Sequence, residues 1–405
     1  MSRSRSVLRE RDLTLLAAAS AISVLGDTAA LIALTLRLHG EGSGGWLIAA
    51  LLLAGSAPMV LLSPMAGAIA DRVDSRAAIA ASAVAQAACA FALSEVHGTV
   101  LTLVLVALLT ASGTLVAPAT GALVPHTVGP DRLVKANAVM QGAFVLGNLA
   151  GPAVGGALTG IWGTRAPLEL DAVSFLAIAG GIFLVRTRRR PAPELVAATR
   201  GRSGLRLVLG DSLLRAVIGS MTALILVSAS VNVAEVFLFK DAFHASDAVF
   251  GITSACWMAG MIVGSALTAR MGSGTAALLA SMSLAELAVA AGLVIAGASP
   301  ILVVAAAGFV LGGVGNGALT VASRTLVVIR VPDEFRGRVF GVMTGAINAA
   351  SVLAYAAGGA LVSALGPRPT IVGCGIAGLA VGLLFTVTAR RARYGARMTL
   401  DVCTS

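Results

Sequence analysis

Charge is scarce in this chain of 405 residues: Asp, Glu, Lys and Arg make up 12% of it, against 57% apolar residues. A water-soluble protein of that length needs more charge to cover its surface, so a soluble globular fold is excluded. Aromatic residues are also few, at 4%. The mean hydropathy of +0.93 therefore comes from Ala, Leu, Val and Ile, with 47 Gly besides. Small residues let helix backbones approach closely in lipid, where packing drives association. Lysine is nearly missing, with only Lys135 and Lys240. The net charge of +10 rests on Arg residues in short loops between apolar runs, not on one basic face. That arrangement argues against nucleic acid as a partner. The 4 cysteines (Cys89, Cys256, Cys374 and Cys403) show no metal-ligand spacing, so neither a disulfide framework, nor a metal site, nor a cofactor is expected. His39, His97, His126 and His244 all fall in loops or at run ends. With no catalytic constellation of His, Cys or Ser, an enzyme is the least favoured class. No Walker loop is present, which argues against ATP-driven transport by this chain alone.

What is present is a series of apolar runs. A helix needs about 20 apolar residues to cross the hydrocarbon core. The runs predict spans at 13–36, 45–69, 77–94, 99–122, 136–161, 167–185, 212–238, 247–269, 275–296, 300–323, 338–363 and 370–389. The run at 77–94 is short and carries Ser82 and Gln86. The first run is too long for a signal-peptide core, so a spanning helix is expected there. Polar breaks rich in Gly and Pro separate the runs, such as Gly366-Pro367-Arg368-Pro369. The longest break, 186–211, is Arg-rich and reads as a solvated linker. The expected organisation is a cytoplasmic N-terminus (1–12), a six-helix bundle (13–185), a cytoplasmic linker (186–211), a second six-helix bundle (212–389) and a cytoplasmic tail (390–405). The fold class is an all-α integral membrane protein of twelve transmembrane helices in two pseudo-symmetric bundles.

Loop charge gives the expected orientation. With the N-terminus in the cytoplasm, only Arg37, Arg165, Lys240 and Arg368 of the 29 Lys and Arg fall on the outer side. This is the positive-inside pattern, and a miscounted helix would scramble it. Trp46 and Trp162 fall at outer helix ends, as interfacial aromatics do. The halves also echo each other at a shift of 203 residues: Gly142 to Gly163 carries Gly155-Gly156-Ala157-Leu158, and Gly345 to Gly366 carries Gly358-Gly359-Ala360-Leu361. Two matching halves are the architecture of secondary transporters, with the substrate path near the midplane.

Two short motifs carry a resemblance. Gly67-Ala68-Ile69-Ala70-Asp71-Arg72-Val73-Asp74-Ser75-Arg76 follows the second run and resembles motif A of the major facilitator superfamily, Gly-x-x-x-Asp-Arg-x-Gly-Arg-Arg. Gly67, Asp71, Arg72 and Arg76 match, while Asp74 and Ser75 depart from it. The second-half counterpart, Gly264 to Arg270, lacks the acid. In the fifth run, Gly147-Asn148-Leu149-Ala150-Gly151-Pro152-Ala153-Val154-Gly155-Gly156 resembles motif C of the drug/proton antiporters of that superfamily. It matches at Gly147, Gly151, Pro152, Gly155 and Gly156. Pro152 removes a helix hydrogen bond and can bend the span. Leu133 to Ala138, Leu170 to Leu176 and Val331 to Val339 further resemble the enterobactin-exporter-like branch, the transmembrane secretion effectors. The resemblance implies a proton-driven exporter of small molecules in the plasma membrane. Many drug/proton antiporters carry an Arg in the fourth helix; Leu108 to Leu123 has none, so any proton relay differs here.

Ionisable groups inside a span are functional candidates, because a charge in lipid is costly. Asp27 leads them, with Ser20 and Ser23 on the same helical face. In the seventh run, Ser228, Asn232 and Glu235 fall at helical spacing. Asn316, Thr320 and Ser323 form a polar stripe in the tenth run, and Thr344, Asn348, Ser351 and Tyr355 another in the eleventh. The substrate and coupling candidates are therefore Asp27, Asn232, Glu235, Asn316 and Asn348. Glu286 reads as peripheral, Glu169 and Asp171 acquire no role, and Trp257 reads as packing. The expected partners are a small-molecule substrate, the proton and the lipid bilayer, with the chain working as a monomer. A nutrient importer of the same fold and a non-transporting scaffold or sensor are the alternatives.

Overall fold

The computed structural model describes residues 2–42, 44–128, 133–185, 202–271 and 274–403. Twelve of its helical segments are long and apolar enough to cross a membrane. They are Arg11–Gly40, Gly45–Ser63, Ser75–Glu95, Thr99–Thr120, Ala136–Trp162, Arg165–Leu184, Ser212–Ala242, Asp247–Ala269, Thr275–Ala298, Leu302–Arg330, Phe335–Leu365 and Pro367–Ala389, here called the first to twelfth spans. Each apolar run has its span, and among the described residues there is no strand. In lipid every backbone N–H and C=O must be satisfied within the segment, which leaves the helix as the local solution for such runs.

The short third run is a full span because its polar residues turn inward. Ser82 and Gln86 are buried, and Gln86 fills the space left by Gly113 on the fourth span. Asp74 starts that helix by accepting from the N–H groups of Arg76 (2.9 Å) and Ala77 (3.1 Å). This N-cap is the role of one of the two residues that depart from motif A. The fourth span is two helices, Thr99–Gly113 and Val116–Thr127, with Pro118 in the first turn of the second, where its missing N–H is harmless.

The seventh span also departs from a simple rod. Ser212–Ser228 is α-helical, the chain then tightens, Val231–Phe237 resumes, and Leu238–Ala242 widens into a π turn. At the tightening, the N–H groups of Asn232 and Val233 bond only three residues back. The Ser230 hydroxyl donates to the Ala354 carbonyl at 2.8 Å. Ser228, Asn232 and Glu235 therefore do not share one regular helix. Irregular turns of this kind mark functional positions in many helices.

Part of the 186–211 segment is not a plain solvated linker: Arg202–Gly210 is a helix whose Gly204 lies against the Arg338 backbone. The residues from 186 to 201 lie outside the described ones. Asp211 caps the seventh span by accepting from Leu213 (2.8 Å) and Leu214 (3.2 Å), and it pairs with Arg330 at 2.8 Å. Burial pushes this carboxyl up, but the Arg330 bond and the two backbone bonds outweigh it and hold it below its ordinary value. The helix of the twelfth span runs on to Cys403.

The chain divides into two compact units. One comprises Met1–Ser43, Ala50–Ala197 and Ala245–Ala255, and the other Gly44–Ala49, Ala198–His244 and Cys256–Ser405. In the first unit, the first span packs on the fifth and sixth, and the third on the fourth and sixth. In the second unit, the ninth span packs on the tenth and twelfth, and the seventh on the eleventh and twelfth. Glycine sets these spacings. A Cβ on Gly292 would stand 2.5 Å from the Gly308 carbonyl, so the ninth and tenth backbones touch directly. Trp257 covers Gly312 and meets Phe309 edge-on at 6.1 Å, so it is a packing residue.

The cations expected on the outer side are tied down. Arg37 donates to the carbonyls of Leu93 (3.0 Å) and Val96 (3.3 Å) and to Thr102. Arg165 pairs with Glu95 and with Glu169. Arg368 donates to the Ser299 carbonyl and lies 4.7 Å over the Phe243 ring. Glu169 is thereby an ion-pair partner at a helix end.

Candidate functional site

Asp27 lies within the first span, half-buried, immediately after a glycine. Gly26 faces the sixth span. A Cβ there would come 2.5 Å from Asp171 Oδ1, 2.8 Å from Ser174 Oγ and 3.1 Å from Asp171 Cα. Only a residue without a side chain lets the acidic turn of the sixth span sit on the first. Asp171 is 1% exposed. The Ser174 hydroxyl donates to the Asp171 carbonyl at 2.7 Å and stands 3.5 Å from its Oδ1. The Asp27 carboxyl is near enough for the two acids to influence each other electrostatically. A half-buried acid and a sealed one thus lie within electrostatic reach of each other. In low dielectric, two such groups resist being ionised together, and one proton between them relieves the repulsion.

The motif C glycines seat the first span against the fifth at the same level. A Cβ on Gly147 would fall 2.7 Å from the Ala21 carbonyl and 2.8 Å from Val24 Cβ. On Gly155 it would fall 2.6 Å from the Ala29 carbonyl. On Gly151 it would run into Thr28 Oγ1, with the Leu25 carbonyl 2.8 Å away. The Thr28 hydroxyl donates to the Val24 carbonyl at 2.7 Å. Gly147, Gly151 and Gly155 therefore make one face, which clasps residues 21–29 around Asp27. Gly156 faces the other way: its Cβ would lie 2.9 Å from Gly251 Cα, at the start of the eighth span. Pro152 lies inside the fifth-span helix, with its carbonyl against Gly251.

The other candidates are placed more loosely. In the second unit, Asn232 is exposed and within hydrogen-bonding reach of the Tyr355 hydroxyl, and Glu235 is half-buried. Asn316 and Asn348 are half-buried on the tenth and eleventh spans. Much of the polar stripe around them is spent inside its own helices: Thr320 donates to the Asn316 carbonyl (2.9 Å), Ser323 to the Thr320 carbonyl (3.2 Å) and Ser351 to the Ile347 carbonyl (3.0 Å). In motif A, Gly67 and the side chains of Asp71 and Arg72 lie outside the described residues. Arg76 donates to the Phe183 carbonyl at 3.0 Å and lies 6.0 Å over its ring, fastening the third span to the end of the sixth. Among the described residues no cluster of three or more His, Cys, Asp or Glu is placed to hold a metal ion.

Asp171 is the site residue that sequence reasoning missed. It is an acid inside a span, which is a signal, but its meeting with Gly26 depends on which faces of two separate helices touch.

The chain matches the Major Facilitator Superfamily over residues 16–285 and again over 217–398. It is 24% identical over 391 residues to YfiS, an uncharacterised transporter of that type from Bacillus subtilis (strain 168), covering 93% of this chain and 92% of the relative. Among solved structures it is similar to a bacterial homologue of the human lysosomal transporter Spinster (TM-score 0.75, 12% identity, 95% and 97% of the two chains). It is also similar to the nucleoside transporter NupG (TM-score 0.75, 13% identity, 93% and 98%). A third is a bacterial homologue of the iron transporter ferroportin (TM-score 0.71, 20% identity, 94% and 98%).

Proposed function

Because the chain belongs to the major facilitator superfamily, whose members are transporters and not enzymes, we propose that it exports small amphipathic molecules in exchange for protons. The observation that carries this reading is the carboxyl pair of Asp27 and Asp171. Asp27, the half-buried member, takes up a proton; Asp171, sealed behind Gly26, makes the doubly ionised state unfavourable and so ties the proton to the state of the first span. Transition-metal binding is the rival use of paired carboxylates, but such ions ask for more ligands than the two acids and a serine found here. Export rather than uptake is favoured by the complete motif C, whose glycines clasp the stretch of helix that carries Asp27. Drugs and siderophore-like metabolites are the cargo class, in keeping with the likeness to enterobactin exporters.

In this reading the bundles are 13–185 and 212–389, the residues that handle substrate and proton are Asp27 in the first and Asn232, Glu235, Asn316 and Asn348 in the second, and the chain sits in the plasma membrane with both termini cytoplasmic. Asp71, Arg72 and Arg76 form the motif A gate. The test is efflux of amphipathic dyes and siderophores from proteoliposomes with and without an imposed pH gradient. The gradient should accelerate efflux by the natural chain and leave Asp27→Asn unaffected. Efflux by the natural chain that ignores the gradient would sink the coupling claim.

A further inference from the structure

Glu286 lies in the middle of the ninth span and is 0% exposed. Neither of its carboxyl oxygens has a hydrogen-bond partner among the described residues. Its surroundings are the backbones and apolar side chains of three other spans. A Cβ on Gly382 of the twelfth span would sit 3.2 Å from Glu286 Cβ and 3.3 Å from Leu287 Cδ2. The preceding residue, Ala285, presents its carbonyl to Gly315 of the tenth span. The polar neighbour is Ser220 of the seventh span, itself buried. The Ser220 hydroxyl donates to the Val217 carbonyl at 3.1 Å, which leaves its oxygen able to accept.

Among the described residues no cation stands at this depth. The ninth span has no other ionisable residue. On the tenth span, Arg324 is nine residues past Gly315, roughly 13 Å along the axis at 1.5 Å per residue. Arg330 lies further on and is held by Asp211. On the twelfth span, Arg368 is about 21 Å from Gly382 by the same rise and is bound at Ser299, while Cys374 and Arg390 are each about 12 Å away. On the seventh span, Arg215 is about 8 Å below Ser220 and donates back to the Leu209 carbonyl, and Glu235, Lys240 and Asp241 lie more than two turns beyond Ser220.

We propose that Glu286 is a second proton-binding site, separate from the Asp27–Asp171 pair, and that its proton is resident: held through the transport cycle and not exchanged in it. An unpaired carboxylate in a dry interior is among the costliest groups a fold can hold. A carboxylic acid removes the charge and gains an O–H, which can donate to the oxygen of Ser220. A carboxylate could only accept, and one serine hydroxyl, shared with the Val217 carbonyl, is too little to hold a full charge there. Full burial removes any route for the proton to leave without the surrounding helices parting. The inference stands apart from cargo and direction of transport.

The experiment uses the full-length chain in lipid nanodiscs with carbon-13-labelled glutamate. Infrared spectra at about pH 6, where glutamates in water are ionised, should show the carbonyl stretch of a protonated glutamic acid, unchanged when a transported dye is added and absent in Glu286→Gln. No such band in the natural chain overturns the proposal whatever the variant does. A linkage measurement reads the same proton. The folded chain holds it and the unfolded chain, with its glutamates in water, releases it above about pH 4.3. Relative to Glu286→Gln, the unfolding equilibrium of the natural chain should therefore shift about tenfold toward the unfolded state per pH unit. Parallel pH profiles for the two would overturn the proposal. Glu286→Met, which is apolar and of similar size, serves if the amide does not fold. A folded Glu286→Gln that loses gradient-driven efflux would show that the proton must cycle, and would overturn the resident assignment while leaving the pair untouched.

Discussion

Adding one methyl group at Gly151 tests how the fifth span holds the acidic stretch of the first. In Gly151→Ala the new Cβ meets Thr28 Oγ1 and comes 2.8 Å from the Leu25 carbonyl. Carbon and oxygen need a separation nearer 3.4 Å or more, so the helices must part by several tenths of an ångström. Thr28 has little freedom to swing, because its hydroxyl is bonded to the Val24 carbonyl at 2.7 Å. Overpacking of this kind costs about 1–3 kcal/mol. In lipid the loss is not offset by hydrophobic collapse elsewhere, since contact itself holds the helices together. The assay is reversible unfolding in mixed micelles for the natural chain, Gly151→Ala, Thr28→Ala and the double variant. Thr28→Ala removes the nearest obstacle but leaves the Leu25 carbonyl, so the double variant should recover part of the loss, on the order of 1 kcal/mol of coupling. Gly142, where a Cβ would meet nothing within 4 Å, is the control, and Gly142→Ala should be neutral or slightly stabilising. A neutral Gly151→Ala, or a loss that Thr28→Ala does not relieve at all, would refute the seating of the first span on the fifth.

Other consequences are open to simpler measurements. Gly26→Ala drives a methyl group against the Asp171 carboxyl and Ser174, and should reduce gradient-driven efflux at least tenfold while the protein still inserts and binds dye. Asp74→Ala removes the N-cap of the third span and should cost about 1 kcal/mol in the same unfolding assay. The Asp211–Arg330 pair gives an acid-side signature. Because the folded carboxyl sits below its ordinary value, its contribution is present above about pH 3.9 and is lost as the pH falls through the folded value. Asp211→Asn should remove that acid-side loss, and a variant that kept the natural pH profile would show that the pair is not its source.

Much of this fold is legible because lipid imposes strong rules. Twelve apolar runs of spanning length read as helices, and the structure has a span for each. Asp27 stands out for the same reason: an acid inside such a run is expensive. What is not legible is rotation. Spans that are apolar on every side show no stripe that says which face meets which neighbour. The approach of Asp171 to Gly26, the clasp of Gly151 on Thr28 and the sealing of Glu286 against Gly382 all depend on rotation. The tightening of the seventh span at Ser230 is hidden for another reason. No Pro or Gly marks it, and the bond that accompanies it goes to Ala354, more than a hundred residues away in sequence. Ser82 and Gln86, which made the third run look weak, become unremarkable once Gln86 is seen filling the place beside Gly113.

The central claim is that Asp27 and Asp171 act as one proton-holding unit that couples export to the pH gradient. A mutant cycle on gradient acceleration of dye efflux from proteoliposomes tests it most directly, using the natural chain, Asp27→Asn, Asp171→Asn and the double variant. Residues that hold one proton between them fail together, so each single variant should lose the acceleration and the double variant should be no worse than either. Full acceleration in Asp171→Asn, or losses that multiply in the double variant, would contradict the pair.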